Sequence, residues 1–206
     1  LKEMQKGKFS QFFTENEKRF TDKKDDSTKP MERQILDELY KHTFSEKKSD
    51  VIVLDIEVCI SDGSADSRKK CDMVLLHKRE KKIMFVEGKI ADDRRMATKD
   101  LINDPPEVIK QVNGYTQLIA NNGDSIIAAY ENHISIINEL FKTNFPETIQ
   151  SIISGAKLLV YGEANTANCI KSKELILKEL GSKNVLWYPG SSKDLSLNDI
   201  WDKLSP

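Results

Sequence analysis

The sequence predicts an α/β fold in which a mixed central sheet of four to five strands is flanked by helices. Strand-length runs of β-branched and aliphatic residues alternate with segments in which apolar residues recur at helical spacing. Three of the strand-like runs follow one another directly, which is typical of an antiparallel meander. Each later strand-like run is preceded by a helical segment, so the sheet is predicted to be mixed.

Composition restricts the classes of protein to which this chain can belong. With 206 residues, of which 38% are hydrophobic and 32% charged, it suits one domain with a substantial core and a heavily charged surface. The 32 lysines and arginines nearly balance the 33 acidic residues, so the net charge of −1 provides no overall attraction to nucleic acid. Contact with DNA must therefore depend on local basic patches. No apolar run approaches the ~20 residues that cross a bilayer, so we expect a soluble, cytoplasmic protein without membrane partners.

Two regions differ in composition. Residues 1–28 are rich in charged residues and carry four phenylalanines at nearly helical spacing, which predicts an amphipathic arm followed by a charged linker. This arm either packs on its own domain or contacts a partner or DNA. Residues 29–206 are predicted to form the folded domain.

The domain is predicted to begin with a helix. Pro30 suits a first helical turn, and apolar residues follow at helical spacing to about His42. Glu32 falls in the middle of the apolar stripe that begins at Ile35. Its carboxylate either complements the positive end of the helix dipole or points toward a functional site.

Three strands are predicted next. The β-branched run from Val51 to Ile60 ends at a turn-forming stretch, residues 61–64. A second strand covers Cys71 to His77, a charged turn follows, and a third strand runs from Lys82 to Ile90.

Helices and single strands alternate in the second half of the chain. In order, we predict a helix from Pro105-Pro106 to the Asn-Asn-Gly cluster at 121–123, a helical stretch at about 125–141, a strand at 157–162, a helix at 172–180 capped by Gly181, and a short fifth strand at 185–188.

The strongest functional signal is a set of two acids and a lysine on the second and third strands. Asp72 stands near the start of one strand, and Glu87 and Lys89 follow near the end of its hairpin partner. Because side chains alternate along a strand, Glu87 and Lys89 point to one face while their neighbours point to the other. The short turn between the strands predicts that the ends carrying Asp72 and Glu87 lie side by side.

These groups suit metal-assisted hydrolysis of a phosphodiester. The reaction needs an activated water, stabilisation of the charge that develops on the phosphoryl oxygens, and assistance to the leaving oxygen. Because Mg²⁺ and Mn²⁺ prefer carboxylate and carbonyl oxygens, Asp72, Glu87 and the carbonyl of Gly88 are the predicted metal ligands. Lys89 is predicted to orient or deprotonate the attacking water and to hold the scissile phosphate.

The order of these elements resembles the PD-(D/E)XK nuclease superfamily, which includes restriction endonucleases, Holliday-junction resolvases and RecB-like exonucleases. The resemblance covers about residues 30–162 and rests on the Asp72 strand, the Glu87-x-Lys89 strand and the helices on either side of them. Cys71 stands where the name-giving motif has proline, and Gly88 is an unusually small middle residue. The resemblance implies a restriction-endonuclease-like fold with the site at one end of the sheet.

Two further motifs extend the resemblance. Glu32-Arg33 at the start of the first helix is similar to the pattern of resolvase-like members, whose glutamate reaches the metal site. Gln111 and Tyr115 match the QxxxY motif on the helix that follows ExK in RecB-like members. The resemblance therefore implies that Glu32 is a further catalytic residue and metal ligand, that Gln111 is a catalytic residue, and that Tyr115 contacts the DNA backbone.

Charged residues near these positions have two interpretations each. Lys69 and Lys70 before the second strand, and Arg94 and Arg95 after the third, are either solvated turns or contacts to substrate phosphates; we include them among the candidate substrate-binding residues. Asp55 and Glu57 are predicted to share one face of the first strand with Val51 and Val53. We expect these two acids to be solvated or paired, the alternative being that they add to the acidic site.

Several other classes lack support in the sequence. The three cysteines have no CxxC spacing and the three histidines no HExxH pattern, and neither a GxSxG nor a P-loop motif occurs. We therefore predict a deoxyribonuclease dependent on Mg²⁺ or Mn²⁺, either an endonuclease or an exonuclease, with RNA as the other substrate to test. The alternative hypothesis is a nuclease-like domain that binds nucleic acid or a protein without cutting, and the intact acid–acid–lysine set favours cleavage. Dimers are frequent in the family, so a homodimer is an assembly to test.

Overall fold

A computed structural model of the protein describes residues 32–45, 49–60, 69–97, 104–190 and 195–205. The chain divides into two units, Leu1–Pro30 and Met31–Pro206. The predicted N-terminal arm and linker, residues 1–28 with their phenylalanines, lie outside the described residues. All of the described residues lie in the second unit.

A six-stranded mixed sheet forms the centre of this unit. Its strands are β1 (Val51–Ile60), β2 (Lys69–His77), β3 (Lys82–Ile90), β4 (Ser151–Ile152), β5 (Lys157–Tyr161) and β6 (Val185–Tyr188). The α-helices in the described ranges are α1 (Glu32–Ser45), α2 (Glu107–Phe141), α3 (Ala167–Leu180) and α4 (Leu197–Leu204), with 3-10 turns at Arg94–Met96 and Ser182–Asn184. None of these helices has both the length and the apolar character that crossing a membrane requires.

The sheet has the order β1-β2-β3-β5-β6, and β4 pairs with the start of β3. The first three strands form the predicted antiparallel meander, whereas β3–β4, β3–β5 and β5–β6 are parallel pairs. The α/β class and the mixed sheet are thereby confirmed. The predicted count of four to five strands is too low by at least one, since the described residues form six; β4 has two residues and is too short to show a periodic pattern.

Helices cover both faces of the sheet, so the unit has three layers. One hydrophobic cluster joins α2 and α3 to the sheet through buried residues such as Val112 and Ile176. The other joins α1 and α4 to the opposite face through residues such as Leu39 and Trp201. We call these the α2 face and the α1 face. The α2 face is the one that carries the candidate site.

Helix α2 is a single long helix with an interruption where the sequence predicted a stop. Asn122 has φ −125° and ψ 18°, which is not helical, and the helix continues on both sides of it. The amide nitrogen of Asn122 donates to the carbonyl oxygen of Leu118 at 2.8 Å, so the side chain satisfies a carbonyl near the kink. The predicted breaker cluster therefore kinks the helix and does not end it.

The ends of the last two helices depend on polar caps. The side-chain oxygen of Thr166 accepts from the backbone of Cys169, so α3 begins five residues before the predicted start. Ser196 and Asp199 form a capping box at α4. Sequence analysis did not predict α4, although this Ser-x-x-Asp spacing before Ile200 and Trp201 is a helix-start signal that was open to it.

The pairing of β1 with β2 contains a β-bulge. The register shifts by one residue between Val53 and Asp55, which turns the following residues to the other side of the sheet. Val51 and Val53 pack in the cluster of the α1 face, whereas Asp55 Oδ2 accepts from the hydroxyl of Tyr130 in α2 at 3.4 Å. The prediction that Asp55 shares a face with these valines is therefore wrong, and its expected pairing is confirmed.

Candidate active site

Strands β2 and β3 separate at the point where the two predicted carboxylates lie. Their paired register runs back from the turn as far as Met73 and Val86. Beyond this pair, the backbone N–H of Gly88 donates to Asp72 Oδ2 at 2.8 Å. The carboxylate thus accepts a hydrogen bond that a backbone carbonyl would accept in a regular pair of strands. Asp72 is thereby fixed against the segment that carries Glu87 and Lys89.

Lys89 lies inside a cage of oxygens. Its Nζ donates to Glu87 Oε1 and, at 2.7 Å, to the carbonyl oxygen of Gly88, and it lies 3.5 Å from Asp72 Oδ2. Glu87 and Lys89 are each only 1% exposed, so water contributes little to their solvation. Charges buried to this extent need partners of opposite charge, and here the carboxylate of Glu87 and the ammonium of Lys89 pair with each other. The three oxygens around the ammonium are those that the sequence predicted as metal ligands.

Helix α2 contributes the two residues of the predicted QxxxY motif. The amide nitrogen of Gln111 donates to Glu87 Oε1 at 2.6 Å and to the hydroxyl of Tyr115 at 2.8 Å. The hydroxyl of Tyr115 in turn donates to the carbonyl oxygen of Lys70, two residues before Asp72. Burial, followed by the charge of Glu87, raises the pKa of Tyr115, so the phenol remains a donor. This chain of bonds joins the two carboxylate-bearing strands through α2.

The contact of Tyr115 with a DNA backbone stays a prediction. The side chain is 2% exposed, and its hydroxyl is engaged with Lys70. In this structure Tyr115 acts on the site from within the protein, by holding Gln111 and the start of β2 in place.

The small residue between Glu87 and Lys89 has a packing explanation. A Cβ at Gly88 would lie 3.3 Å from Leu36 Cδ2 of α1 and 3.7 Å from Asp72 Oδ2. Helix α1 therefore approaches β3 closely at this point, and a Cβ would fit only if the side chain of Leu36 shifted slightly. The close packing of α1 therefore favours glycine between Glu87 and Lys89.

Cys71, the residue before Asp72, is a buried packing residue. Its thiol donates to the carbonyl oxygen of Val86 at 3.4 Å. Burial raises the pKa of this thiol well above its ordinary value, and the charges of Glu87 and Asp72 raise it further. The thiol therefore stays protonated beside the two carboxylates and contributes a weak hydrogen bond rather than a charge.

The basic residues around the site differ in their partners. Lys70 forms a 2.9 Å ion pair with Glu57, and both side chains are at least half exposed, so Glu57 is paired as expected. Arg94 is exposed at the end of β3. The side chains of Lys69 and Glu32 lie outside the described part of the chain, so the predicted roles of both stay predictions.

Asp93 and Arg95 form a fixed pair next to the site, and sequence analysis missed the acid. Arg95 donates from Nη2 to Asp93 Oδ2 at 2.6 Å and from Nε to Oδ1 at 3.0 Å. Burial alone would raise the pKa of Asp93, but the hydrogen bonds and charge of Arg95 outweigh it and lower the pKa to about 2. The sequence does carry a signal for this ion pair, namely an acid two residues before an arginine just after the strand with Glu87 and Lys89.

The donor set fits a hard divalent cation. Two carboxylates and a carbonyl converge on one cationic group, and Mg²⁺ or Mn²⁺ prefers such oxygens. Among the described residues, no group of three or more His, Cys, Asp and Glu side chains is arranged to hold a metal ion. The fit therefore rests on Asp72, Glu87 and the carbonyl oxygen of Gly88.

Comparisons of the chain with protein-family models, with curated proteins and with solved structures give no match.

Proposed function

We propose that this chain is a nuclease with a restriction-endonuclease-like fold that hydrolyses DNA phosphodiester bonds with Mg²⁺ or Mn²⁺. One observation carries the proposal: oxygens of Asp72, Glu87 and Gly88 converge on a single buried cationic group. A cage that accommodates an ammonium through three oxygens offers the ligand chemistry that a divalent cation requires. When bound, the metal would activate water and stabilise charge on the phosphoryl oxygens.

The protein's own residues would hold this site in order. Asp72 is fixed by the N–H of Gly88, and Glu87 is held by Gln111, so both carboxylates are oriented before any ligand binds. Preorganised oxygens lower the reorganisation cost of the reaction.

Lys89 is the proton carrier of the set. Its Nζ bridges Glu87, the carbonyl of Gly88 and the vicinity of Asp72. A water or a phosphate oxygen that enters beside these groups would meet the same ammonium, which can donate to it or hold its proton. Arg94 and the pair of Arg95 with Asp93 follow directly on β3 and are the candidate contacts to the flanking phosphates.

A second candidate is a nuclease-like domain that binds nucleic acid or protein without cutting. A specific contact pattern favours it: the ammonium of Lys89 is already paired with the carboxylates of Glu87 and Asp72, as a structural lysine would be. The two candidates differ in whether a divalent cation enters this cage.

Cleavage assays separate the two candidates. Purified protein is incubated with supercoiled plasmid, linear duplex, single-stranded DNA and RNA, each with Mg²⁺, Mn²⁺ or EDTA. Asp72→Asn keeps an oxygen that can accept from Gly88 but removes the charge, so we expect it to lower the cleavage rate by roughly 100-fold or more. Glu179→Gln, at an exposed position on α3, is the matched charge control and should cut as wild type does.

The outcomes are distinct. Metal-dependent cutting that Asp72→Asn loses and Glu179→Gln keeps supports the enzyme. Equal cutting by wild type and Asp72→Asn identifies a contaminating nuclease and contradicts the assignment. Binding of DNA without metal-dependent cutting supports the second candidate.

A further inference from the structure

A groove of about 420 Å³ lies on the α2 face, between the second half of β1 and α2. This volume lies within the range of small-ligand sites, roughly 300–1,000 Å³. Phe85 and Tyr130 line it as buried rings, and Ser125 and Ala129 are among the exposed residues at its edge. None of the candidate site residues named above lines this groove.

Backbone irregularities shape both walls of the groove. On β1, the bulge before Asp55 brings this carboxylate to the α2 side, where it meets Tyr130. On α2, the non-helical Asn122 redirects the helix where it lines the groove. Bulges of this kind re-aim a side chain and recur beside functional sites. Without the bulge, Asp55 would face the opposite side of the sheet.

The chemistry of the lining selects for a flat group with hydrogen-bond donors. Asp55 Oδ1 accepts from the backbone of Ile56 at 2.9 Å and Oδ2 from Tyr130 at 3.4 Å. Each carboxylate oxygen accepts two hydrogen bonds, so both retain capacity toward the groove. Phe85 and Tyr130 back the groove as buried rings, and the half-buried His133 adds a third ring to its lining. A negative carboxylate at this position repels phosphate and attracts N–H groups.

The groove lies on the same face of the sheet as the candidate active site. Phe85 lies two residues before Glu87 on β3, so the two side chains are on the same face, about 7 Å apart along the strand. At the other wall, Cys59 of β1 is the register partner of Lys70, whose carbonyl binds Tyr115. A nucleic-acid strand bound at the cage would therefore have this groove on the same face of the sheet.

We propose that the groove binds one unpaired base of the substrate strand, with Asp55 reading a Watson–Crick edge that presents N–H donors. Guanine fits best, because its N1–H and exocyclic amine lie side by side and match the two carboxylate oxygens. Thymine fits worst, because two carbonyl oxygens flank its single N–H and oppose the carboxylate. Single-stranded recognition by edge bonding and aromatic contact follows the same chemistry. This inference rests on the proposed function, since it takes nucleic acid as the ligand.

The test measures binding in EDTA, so that it does not depend on cleavage. Fluorescence anisotropy compares a labelled 12-nucleotide oligo(dT) with the same oligonucleotide carrying two central guanines. We expect wild type to bind the guanine-containing strand about tenfold more tightly, the discrimination typical of a two-bond base contact. Asp55→Asn should reduce this preference to less than about twofold, because an amide accepts only through one atom. Asp124→Asn, an exposed acid beside the groove on α2, is the charge control and should keep the preference.

A second variant tests the groove independently, so that the proposal can still be judged if Asp55→Asn does not fold. Ala129→Phe places a ring over the groove from an exposed helix position and should also abolish the preference without changing affinity for oligo(dT). Equal affinity of wild type for both strands, or an unchanged preference in Asp55→Asn, overturns the proposal. If the protein prefers guanine through Asp55 but never cuts DNA, the base-binding proposal stands and the proposed nuclease function is refuted. If the protein cuts DNA but shows no base preference, the nuclease function stands and the base-binding proposal is refuted.

Discussion

Two lysines on neighbouring strands are equally buried and have different surroundings. Lys89 on β3 and Lys157 on β5 are each 1% exposed. The ammonium of Lys89 meets two carboxylates and a carbonyl, whereas Lys157 donates to the amide oxygen of Asn184 at 2.5 Å. Burial lowers the pKa of Lys157 below its ordinary value of 10.5. A buried cation therefore does not by itself mark a site; the number and charge of the converging oxygens do.

The setting of Lys157 explains its structural character. The amide nitrogen of Asn184 donates to the carbonyl oxygen of Leu180 at 2.7 Å, so Asn184 links the last turn of α3 to the start of β5. This arrangement ties chain segments together with neutral partners. The cage around Lys89 instead places two carboxylates and a carbonyl around one ammonium.

The largest expected difference between the two lysines is in stability. Lys89→Met leaves Glu87 buried without its ammonium, so we expect the free energy of unfolding to fall by about 3–5 kcal/mol. Urea denaturation monitored by circular dichroism measures this change. A loss no larger than that of Lys157→Met would show that the cage is solvated or protonated, and the contrast between the two sites would disappear.

Lys157→Met should have a small effect at neutral pH and a clear one on the pH profile. Removing a cation that burial disfavours, together with one hydrogen bond to a neutral amide, should change the free energy of unfolding by no more than about 1 kcal/mol at pH 7. Since the folded pKa of Lys157 lies below 10.5, the unfolded chain binds more protons between these two values. Wild-type stability should therefore gain from this residue as pH rises through that window.

The measurement is the difference in unfolding free energy between wild type and Lys157→Met from pH 7 to 10.5. We expect the wild type to gain on the variant as pH rises. A constant difference across this range would mean that Lys157 is not penalised by burial, and the two lysines would then be distinguished only by their partners.

Much of the fold was predictable because its signals are local. The meander from Val51 to Ile90 has β-branched runs and a charged turn, and the structure reproduces its first and third strands to the residue. The proximity of Asp72 to Glu87 follows from hairpin geometry. The bulge before Asp55 was not predictable, because a one-residue slip leaves the composition of β1 unchanged and depends on packing against α2.

The hydrogen bonds within the site were less predictable than the residues that form it. Sequence spacing places Gln111 and Tyr115 one helical turn apart, and both do reach the site. Whether Tyr115 faces solvent or the carbonyl of Lys70 depends on the position of α2 over the sheet, which one sequence does not specify. For the same reason the ammonium of Lys89 could not be placed among its oxygens from the sequence.

Direct titration of Mn²⁺ into the protein tests the central claim that the oxygens around Lys89 form a divalent-cation site. Isothermal titration calorimetry without DNA should show binding to wild type and to Glu179→Gln, and binding weaker by roughly tenfold or more to Asp72→Asn, which loses a charged ligand. Lys89→Met, if folded, should bind Mn²⁺ more tightly than wild type, because the ammonium no longer competes for the same oxygens. Absence of binding to wild type, or equal affinity in wild type and Asp72→Asn, would contradict the account.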